Sequence, residues 1–510
     1  MARSVVLLVM LVVSGGRCLA EAGDLVWNQF RGPGGSGVAP AFQPPIKLEA
    51  ACLAWKTPVP PGLSSPVLSR KLIFLTALEK NRLVTLALDA ASGQLAWRQE
   101  APSVPLEKVH VTSSPAAPTP YADDERVYVY FGSYGLLCYD HAGREQWRVP
   151  IATPQSVYGM ATSPIAHGEN LILVLDNDAN LAGSKLSQSR LLAVKKATGE
   201  KVWETPRPLL RSGWSTPSLW SHDAGEDLVV LGSGRVCGYD PRTGVEKWFA
   251  TGFSRETIAV PVSGNGRVHV SAAKLGGGAD EQPDPEPFWQ AMLKFDANKD
   301  GKIERSEMTE YFTFPLRPEL PVEHPGFGVP LPADPEKRKA QQATLFDSTD
   351  KNKDGYWTRE EFVASMSSRP GKPLLLAIRS GGQGDVTTAN VDWQLHQGIP
   401  EIPSPLFYKD RLYMIRNGGT LTAVDATNGK IVYSERLGSN GQYSASPVLA
   451  HDHLYLISNQ GEVSVVKTGD AFQMVHQHDL GERAFVTPAM DANTIYVRTE
   501  KHLCAFRSGP

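Results

Sequence analysis

The sequence has no marked excess of charge of either sign. Its 510 residues include 51 Lys and Arg against 54 Asp and Glu, so the formal net charge is −3. Proteins that bind nucleic acid usually carry a basic patch or stripe, and none is evident in this chain. After the first twenty residues there is also no long apolar stretch, so no membrane-spanning helix is expected in the remainder.

Cysteine is scarce, and its spacing excludes two kinds of site. The five cysteines include no CxxC motif and no neighbouring pair, which argues against a zinc ribbon or a redox centre. Four of them follow residue 20, namely Cys52, Cys138, Cys237 and Cys504. We expect these four to be free, buried thiols.

The first twenty residues have the pattern of a signal peptide. Arg3 precedes an apolar run over residues 5–13, and small residues at Cys18 and Ala20 suit cleavage after Ala20. The sequence thus predicts a signal peptide over residues 1–20, an exported protein that is periplasmic or secreted, and a mature net charge of −5. A lipoprotein signal with Cys18 as the lipidated residue is the alternative, which Arg17 disfavours.

A Ser-Pro or Thr-Pro pair recurs along the chain and predicts a repeat architecture. Successive prolines lie 49, 49, 53, 44, 144, 42 and 41 residues apart, and all but the longest interval suit one four-stranded propeller blade. We therefore predict an all-β, eight-bladed β-propeller, with seven blades as the alternative. The pairs are Ser65-Pro66, Ser114-Pro115, Ser163-Pro164, Thr216-Pro217, the degenerate Val260-Pro261, Ser404-Pro405, Ser446-Pro447 and Thr487-Pro488.

An Asp-x-x-x-Gly-x-x-x-Trp pattern also recurs in phase with the repeats, as at Asp89, Gly93 and Trp97. The acidic and glycine positions suit a tight hairpin turn, and the tryptophan is large and flat enough to pack between neighbouring blades. The fifth repeat keeps Trp393 without the turn glycine, and the seventh has Gln473 in place of tryptophan. The last repeat stops before its final strand. Because residues 53–56 match residues 95–98, we expect the N-terminal strand to complete blade eight.

These repeats resemble the PQQ-like repeat family, which includes quinoprotein dehydrogenases and the outer-membrane assembly propeller. The resemblance covers most of residues 27–280 and 371–510, and residues 27–33 (WNQFRGP) resemble exported bacterial members. It implies a propeller that is either a PQQ-dependent dehydrogenase or a non-catalytic binding scaffold. Family dehydrogenases often hold the quinone against a neighbouring cysteine pair, which this chain lacks, so PQQ is not expected.

Two segments of the long interval, residues 296–307 and 350–361, match the calcium-loop pattern of an EF hand. In this pattern, the side chains at positions 1, 3 and 5 provide hard oxygen ligands, and a glycine at position 6 allows a sharp turn. The residue at position 7 provides its backbone carbonyl, and a glutamate at position 12 binds through both carboxylate oxygens. Two calcium ions are therefore predicted. The predicted ligands are Asp296, Asn298, Asp300, Lys302 and Glu307 in the first loop, and Asp350, Asn352, Asp354, Tyr356 and Glu361 in the second.

The flanks of the loops favour a paired unit inserted into blade five. Ile303 and Trp357 both occupy position eight and are expected to pair the loops side by side. Residues 315–335 are rich in proline and are not expected to be helical, so we expect the two hands to be less tightly coupled than usual. The predicted organisation is residues 21–280 for the first part of the propeller, 281–370 for the EF-hand pair and 371–510 for the second part.

The residues favour a scaffold over an enzyme. Asp176 and Asp178 are candidate acids, but single acids in propeller loops are mostly solvated turn residues, and no hydrolytic or zinc-type motif is evident. No catalytic residue is predicted. We expect a monomer that binds another protein or an envelope component through loops on the propeller faces, with calcium in a structural rather than a sensory role.

Overall fold

Eight antiparallel sheets, numbered blades 1 to 8, make up most of the chain. The strands of blades 1 to 4 are Val67–Ser69, Leu72–Glu79, Arg82–Asp89 and Leu95–Glu100; Tyr121–Ala122, Arg126–Phe131, Gly135–Asp140 and Glu145–Pro150; Ile165–His167, Asn170–Leu175, Arg190–Lys195 and Lys201–Pro206; Ser218–His222, Gly225–Gly232, Arg235–Tyr239 and Glu246–Thr251. The computed structural model describes residues 26–509 except 157, 179–187, 209, 212, 255, 274–284, 316, 317, 319, 325, 326, 330, 368–372 and 440.

Blade 8 is closed by a strand from the N-terminal part of the chain, as predicted. The strand Leu53–Pro58 pairs antiparallel with the last strand, His502–Arg507. The strands of blades 5 to 8 are Val262–Gly264, Arg267–Ala272, Leu374–Arg379 and Val391–Leu395; Leu406–Tyr408, Arg411–Arg416, Thr420–Asp425 and Ile431–Arg436; Val448–Ala450, His453–Ile457, Glu462–Lys467 and Gln473–Asp479; Ala489–Met490, Thr494–Arg498, His502–Arg507 and Leu53–Pro58. The prediction of an eight-bladed all-β propeller is confirmed.

Three α-helices lie, along the chain, between the second and third strands of blade 5. They are α1 (Glu286–Met292), α2 (Pro335–Thr349) and α3 (Arg359–Ser367). A two-stranded sheet of Ile303–Glu304 and Tyr356–Trp357 accompanies them. Asp334 caps α2 by accepting a hydrogen bond from the backbone of Lys337. None of the helices in the described ranges is long and apolar enough to cross a membrane.

In six blades, the hydroxyl of the Ser-Pro or Thr-Pro pair joins the blade to the one before it. It accepts a hydrogen bond from the backbone N–H of the matching residue one blade earlier, at distances of 2.9–3.0 Å. The donor and acceptor residues of these six bonds are Ser65 to Thr119, Thr119 to Ser163, Ser163 to Thr216, Val260 to Ser404, Ser404 to Ser446, and Ser446 to Thr487. The repeated pair thus links the segments that precede the first strands of neighbouring blades.

The structure corrects one member of this set. The sequence predicted Ser114-Pro115 as the copy in blade 2, but Thr119 and the proline after it hold that place. The Ser114 hydroxyl instead accepts a bond from the nearby Ala116 N–H, within its own loop. Regular spacing favoured the wrong pair because the loop before blade 2 is longer than its counterparts.

Replacing Thr119 with valine is expected to lower the free energy of unfolding by about 1–3 kcal/mol, because the Ser65 N–H would be left buried without an acceptor. Ser114→Ala is the control, since its hydroxyl serves a local turn and lies outside the set. Urea unfolding of both variants measures the difference. An equal loss in the two would contradict the role assigned to the repeated hydroxyl.

The repeated tryptophans pack between blades, and the structure shows why the turn position is glycine. Each indole ring lies on the turn glycine of the following blade, where a Cβ would come within about 2.5–2.8 Å of the ring. These glycines also adopt positive φ, for example 71° at Gly93. The pairs are Trp55 and Gly93, Trp97 and Gly143, Trp147 and Gly199, Trp203 and Gly244, and Trp393 and Gly429.

Blade 5 has no turn glycine to receive Trp248 of blade 4, and a different contact replaces it. The Trp248 Nε1 donates to the Asp227 carboxylate at 2.7 Å. The segment between the last two strands of blade 5 also adds a short parallel strand, Gly384–Asp385, to the outer edge of blade 4. The added strand and the hydrogen bond to the buried Asp227 carboxylate therefore compensate for the irregular fifth repeat.

The four cysteines are free, as predicted, although Cys52 is only half-buried. It ends a 3₁₀ turn, Ala50–Cys52, just before the closing strand. Cys504, in the last strand, lies opposite Lys56 of the closing strand rather than opposite Cys52. The register therefore keeps the two thiols from facing each other across the closure.

A carboxylate at the closure predicts sensitivity to acid. Glu482 binds Lys56 of the closing strand at 2.8 Å, together with Thr499 and His502 of blade 8. Burial alone would raise the pKa of Glu482, but bonds from His502, Lys56 and Thr499 hold it at about 2. Because the folded pKa lies below the ordinary value of 4.5, this stabilisation is present above about pH 4.5 and is lost as pH falls towards 2.

The difference in unfolding free energy between the wild type and Glu482→Gln should therefore shrink as pH is lowered from 5 to about 2. Urea unfolding of both proteins at several pH values measures this difference. A difference that stays constant with pH would show that the ionised Glu482 carboxylate does not stabilise the closure.

Residues 27–43, which include the WNQFRGP motif, run across one end of the propeller axis. Asn28 bonds blade 2 while Arg31 bonds blade 6, on the opposite side of the ring. The Arg31 guanidinium is fully buried, and burial lowers its pKa to about 9. The bonds that fasten this segment are Leu68 N to Trp27 O, Ala122 N to Asn28 O, Arg31 Nη2 to Pro405 O, Leu449 N to Gly37 O, and Gln43 N to Ala492 O.

Candidate calcium centre

The first predicted loop wraps its backbone around the carboxylates at its two ends. The Asp296 carboxylate accepts bonds from the N–H groups of Lys299 at 2.6 Å and Gly301 at 2.9 Å. The Glu307 carboxylate, which is 9% exposed, accepts bonds from Ala297 at 2.8 Å and Glu304 at 2.8 Å. Lys299 and Gly301 both have positive φ, so the loop makes the sharp turn that its glycine predicts.

Asn298 and Asp300 complete the side-chain oxygens of this loop. Asn298 Oδ1 accepts from the Asp300 N–H, and Asp300 Oδ1 accepts from the Lys302 N–H, each at 2.9 Å. The Asn298 side-chain amide also lies 3.4 Å from Glu304, the acid at position nine. Glu304 and Glu307 form a capping box at a single 3₁₀ turn, Arg305–Glu307. The first hand therefore leaves its loop through this short turn and not through a regular α-helix.

The second loop brings three predicted ligands together. One carboxylate oxygen each from Asp350, Asp354 and Glu361 lies within 4.8 Å of the others. Asn352 Oδ1 accepts from the Asp354 N–H at 2.9 Å, and the Glu361 carboxylate accepts from the N–H and hydroxyl of Thr358. This loop runs from α2 into α3, so it has a helix on both sides.

The donor set of the second loop fits a calcium ion. Asp350 is 5% exposed, and its Oδ1 is buried without a hydrogen-bond donor. A buried carboxylate oxygen with no donor is costly unless a cation compensates its charge. Calcium prefers hard oxygen ligands in a flexible arrangement, which the carboxylates and amide oxygen of this loop provide.

The two loops lie side by side, as predicted from position eight. Ile303 pairs antiparallel with Trp357, and Glu304 pairs with Tyr356. Ile303 and Trp357 are both fully buried. The side chains at position seven also meet, because Lys302 Nζ lies 4.8 Å from the centroid of the Tyr356 ring. This small sheet therefore joins the two loops directly.

An aromatic core fills the space beneath the loops. Phe312 and Phe346 pack on the Trp357 ring at centroid distances of 5.3 and 5.5 Å. The Trp357 Nε1 donates to the Phe346 carbonyl at 3.0 Å, which satisfies the only polar atom of a buried indole. The tryptophan at position eight is thus accommodated by packing and by one hydrogen bond.

The linker between the hands contributes to this core, which the sequence did not predict. Phe314, which directly precedes residues 315–335, stacks on Phe362 of α3 at 4.8 Å, and Phe327 lies edge-on to Phe295 at 6.1 Å. Both linker phenylalanines are buried. A bridge between Pro315 and Gly328 closes the linker into a loop that carries these rings inwards. As predicted, the described part of the linker is not helical, but it packs between the hands, so the expected loose coupling is wrong.

Asp176 is not a solvated turn residue, so that expectation is also wrong. Its side chain and that of Arg207 are each 1% exposed, and Arg207 Nη1 lies 2.6 Å from Asp176 Oδ1. Burial raises the pKa of Asp176 to about 6, and Arg207 opposes the shift. Asp178 is 13% exposed and lies 3.7 Å from Arg211. Since the partners follow the acids by more than thirty residues, no local pattern could have revealed the pairs.

Comparison with known proteins supports the fold and one of the hands. A family model described as outer membrane protein assembly factor BamB matches residues 46–156, 80–277 and 382–508. A model described as EF hand matches residues 290–312, which include the first loop. No curated protein matches the chain significantly.

Three solved structures are similar to this chain at low sequence identity. BamB from Moraxella catarrhalis has a TM-score of 0.51 and 10% identity, covering 89% of this chain and 99% of that one. The computationally designed Ika8 protein has a TM-score of 0.50 and 10% identity, covering 88% and 98%. A europium-containing methanol dehydrogenase has a TM-score of 0.49 and 12% identity, covering 93% and 89%.

At 10% identity, the likeness to the first two structures shows a shared fold and nothing about shared activity. The family model is a different kind of match, because its ranges together span well over half of the 510 residues. They also coincide with the blades on both sides of the inserted helices. The chain therefore belongs to the PQQ-like repeat family whose model is described as outer membrane protein assembly factor BamB.

Proposed function

We propose that this protein is an exported, non-catalytic binding scaffold in which two EF-hand loops hold calcium as a structural element. The observation that carries the calcium proposal is the convergence of Asp350, Asp354 and Glu361 around the unpartnered oxygen of Asp350. The first loop adds the same residue types at the same spacing, and its Glu307 is equally well fixed by backbone donors. Residues 1–20 would direct export, and residues 281–370 would form the calcium unit.

The linker supports a structural rather than a sensory role for calcium. Sensor EF hands open on binding calcium and expose an apolar groove to a target. In this chain Phe314 and Phe327 lie in the aromatic core, so the chain itself occupies the space that a target would need. Gln342 of α2 secures the start of the linker by donating to the carbonyl of Phe312 at 2.9 Å. We therefore infer that calcium closes and stiffens this unit.

Calcium saturation of the apo protein is expected to leave binding of the hydrophobic dye ANS unchanged or lower, because the core stays covered. Phe314→Ala is the matched variant, since it uncovers one face of Phe362 and should raise ANS fluorescence. The dye is titrated into both proteins with and without calcium. A rise in the wild type on calcium addition, comparable with that of the variant, would indicate a sensor and contradict the proposal.

The scaffold role rests on the family and on the propeller frame. The matching family model is described as an assembly factor, which fits a protein that acts by binding others. A rigid propeller presents many loops at its two faces, where recognition usually occurs. We propose a protein or envelope component as partner and a monomeric chain. A PQQ-dependent dehydrogenase is the alternative, and bound quinone with reduction of a redox dye by the purified protein would establish it.

A further inference from the structure

Blade 7 carries a cluster of two histidines and one aspartate that is separate from the calcium unit. His451, Asp452 and His453 form the turn between the first two strands of the blade, Val448–Ala450 and His453–Ile457. Asp452 Oδ1 lies 2.8 Å from the Nδ1 atoms of both histidines. One possible ligand atom from each of the three residues falls within 4.8 Å of the others.

The corresponding turns of blades 2 and 8 use their acids differently. Asp123 accepts a bond from the backbone of Arg126 and from the Tyr128 hydroxyl at 3.0 Å. Asp491 of blade 8 accepts from the backbone of Thr494 and from the Tyr496 hydroxyl at 2.6 Å. In those turns the carboxylate is occupied in fixing the hairpin.

The tyrosine of blade 7 has other partners, so Asp452 is not occupied in this way. Tyr455, which matches Tyr128 and Tyr496 in register, gives its hydroxyl to the carbonyls of Pro44 and Pro45. The Asp452 carboxylate contacts the two imidazoles instead. The cluster is therefore an addition to the shared hairpin, and the hairpin can form without it.

We propose that His451, Asp452 and His453 bind a divalent transition-metal ion such as Zn²⁺. Imidazole nitrogen and carboxylate oxygen are common zinc ligands, with bonds of about 2.0–2.2 Å. Around such an ion the ligand atoms would stand about 3.3 Å apart. Each imidazole nitrogen now lies 2.8 Å from Asp452 Oδ1, and the three ligand atoms lie within 4.8 Å of one another, so only small shifts are needed. The His451 side chain is 62% exposed and has room to move, whereas His453 is 14% exposed and fixed by its strand.

A small cavity beside the cluster leaves space for further ligands. It has a volume of about 170 Å³ and meets the cluster at Asp452, with Thr468 and Gly469 also in its lining. Three protein ligands and an adjoining open space suit a metal site that keeps one position for water. Nearby positive charges reduce the attraction of the cluster for a metal cation. Lys467 lies opposite His453 in the sheet, and Arg411 is paired with Asp470 at 2.7 Å. Both favour a moderate rather than a very tight affinity.

The test is a titration of Zn²⁺ into the full chain saturated with calcium, so that the EF-hand loops are already filled. The wild type is expected to bind one zinc ion that His451→Gln and His453→Gln each weaken by at least about tenfold. His167→Gln is the matched control, because His167 ends the first strand of blade 3, just before the equivalent turn, and pairs with Glu226 at 2.9 Å without a second imidazole. It should bind zinc like the wild type.

His451 is exposed, so its replacement should leave the fold intact, and an unchanged melting temperature of that variant without zinc checks this. Visible absorption of bound Co²⁺, lost in the same two variants, would identify imidazole ligands. No zinc bound by the wild type would overturn the proposal. So would equal zinc affinity in the wild type and His451→Gln.

Discussion

Replacing Arg207 with methionine is expected to lower the free energy of unfolding by about 3–5 kcal/mol. The Asp176 carboxylate is 1% exposed and has Arg207 Nη1 at 2.6 Å, so the variant leaves a buried acid without its cation. Burial already raises the pKa of Asp176 to about 6, and the loss of Arg207 removes the group that opposes this shift. The acid would then take up a proton near neutral pH, at a cost in stability.

Two further variants separate this effect from a general loss of an arginine. Arg144→Met removes an arginine that is 79% exposed and bonded to Asp140 at 2.7 Å, and exposed pairs contribute little. The double variant Asp176→Leu/Arg207→Met replaces both charges and should recover much of the lost stability. Urea unfolding provides the comparison. Similar losses for Arg207→Met and Arg144→Met would show that the buried pair has no special weight.

Replacing Glu361 with glutamine is expected to weaken calcium binding at the second loop by roughly tenfold or more, because the loop loses charge and its bidentate ligand. Backbone N–H groups of Lys351 and Thr358 hold the two oxygens of Glu361, so the side chain is already placed for binding. Glu360→Gln is the matched control, since Glu360 is the adjacent acid on α3 and is not a predicted ligand. Calorimetric titration with calcium measures both variants, and an equal effect would contradict the ligand assignment.

The first loop is expected to bind calcium more tightly than the second, because position nine is Glu304 rather than Thr358. Glu307→Gln should therefore cause the larger loss of total calcium affinity in the same titration. A larger loss from Glu361→Gln would show that an ordered helix on each side of the loop outweighs one additional acid.

Local patterns in the sequence were sufficient to predict the blades and both loops. A turn glycine and a tryptophan recur at fixed spacing because each ring rests on the glycine of the next blade, so the contact between blades is visible as a short motif. The predicted calcium ligands of each loop likewise fall within twelve residues. The Ser114 error shows the limit of spacing alone, since Thr119 is identified by its bond to a residue in another blade.

The features that the sequence did not predict all depend on distant contacts. Arg207 meets Asp176 across a gap of 31 residues, and Arg31 reaches a carbonyl of Pro405 that lies 374 residues away. The inward packing of Phe314 and Phe327 depends on how the linker closes, which its prolines do not reveal. Each of these contacts buries a side chain, and the type of that residue alone does not predict whether it is buried or lies in an exposed loop.

Calcium and quinone content, measured together on the purified mature chain, test the central claim most directly. The account predicts two calcium ions per chain by elemental analysis and calorimetry. At low free calcium, Glu307→Gln and Glu361→Gln should each retain only one. No quinone absorbance and no reduction of a redox dye are expected. Calcium bound on the propeller and retained in the Glu307→Gln/Glu361→Gln double variant, together with bound quinone and dye reduction, would contradict it.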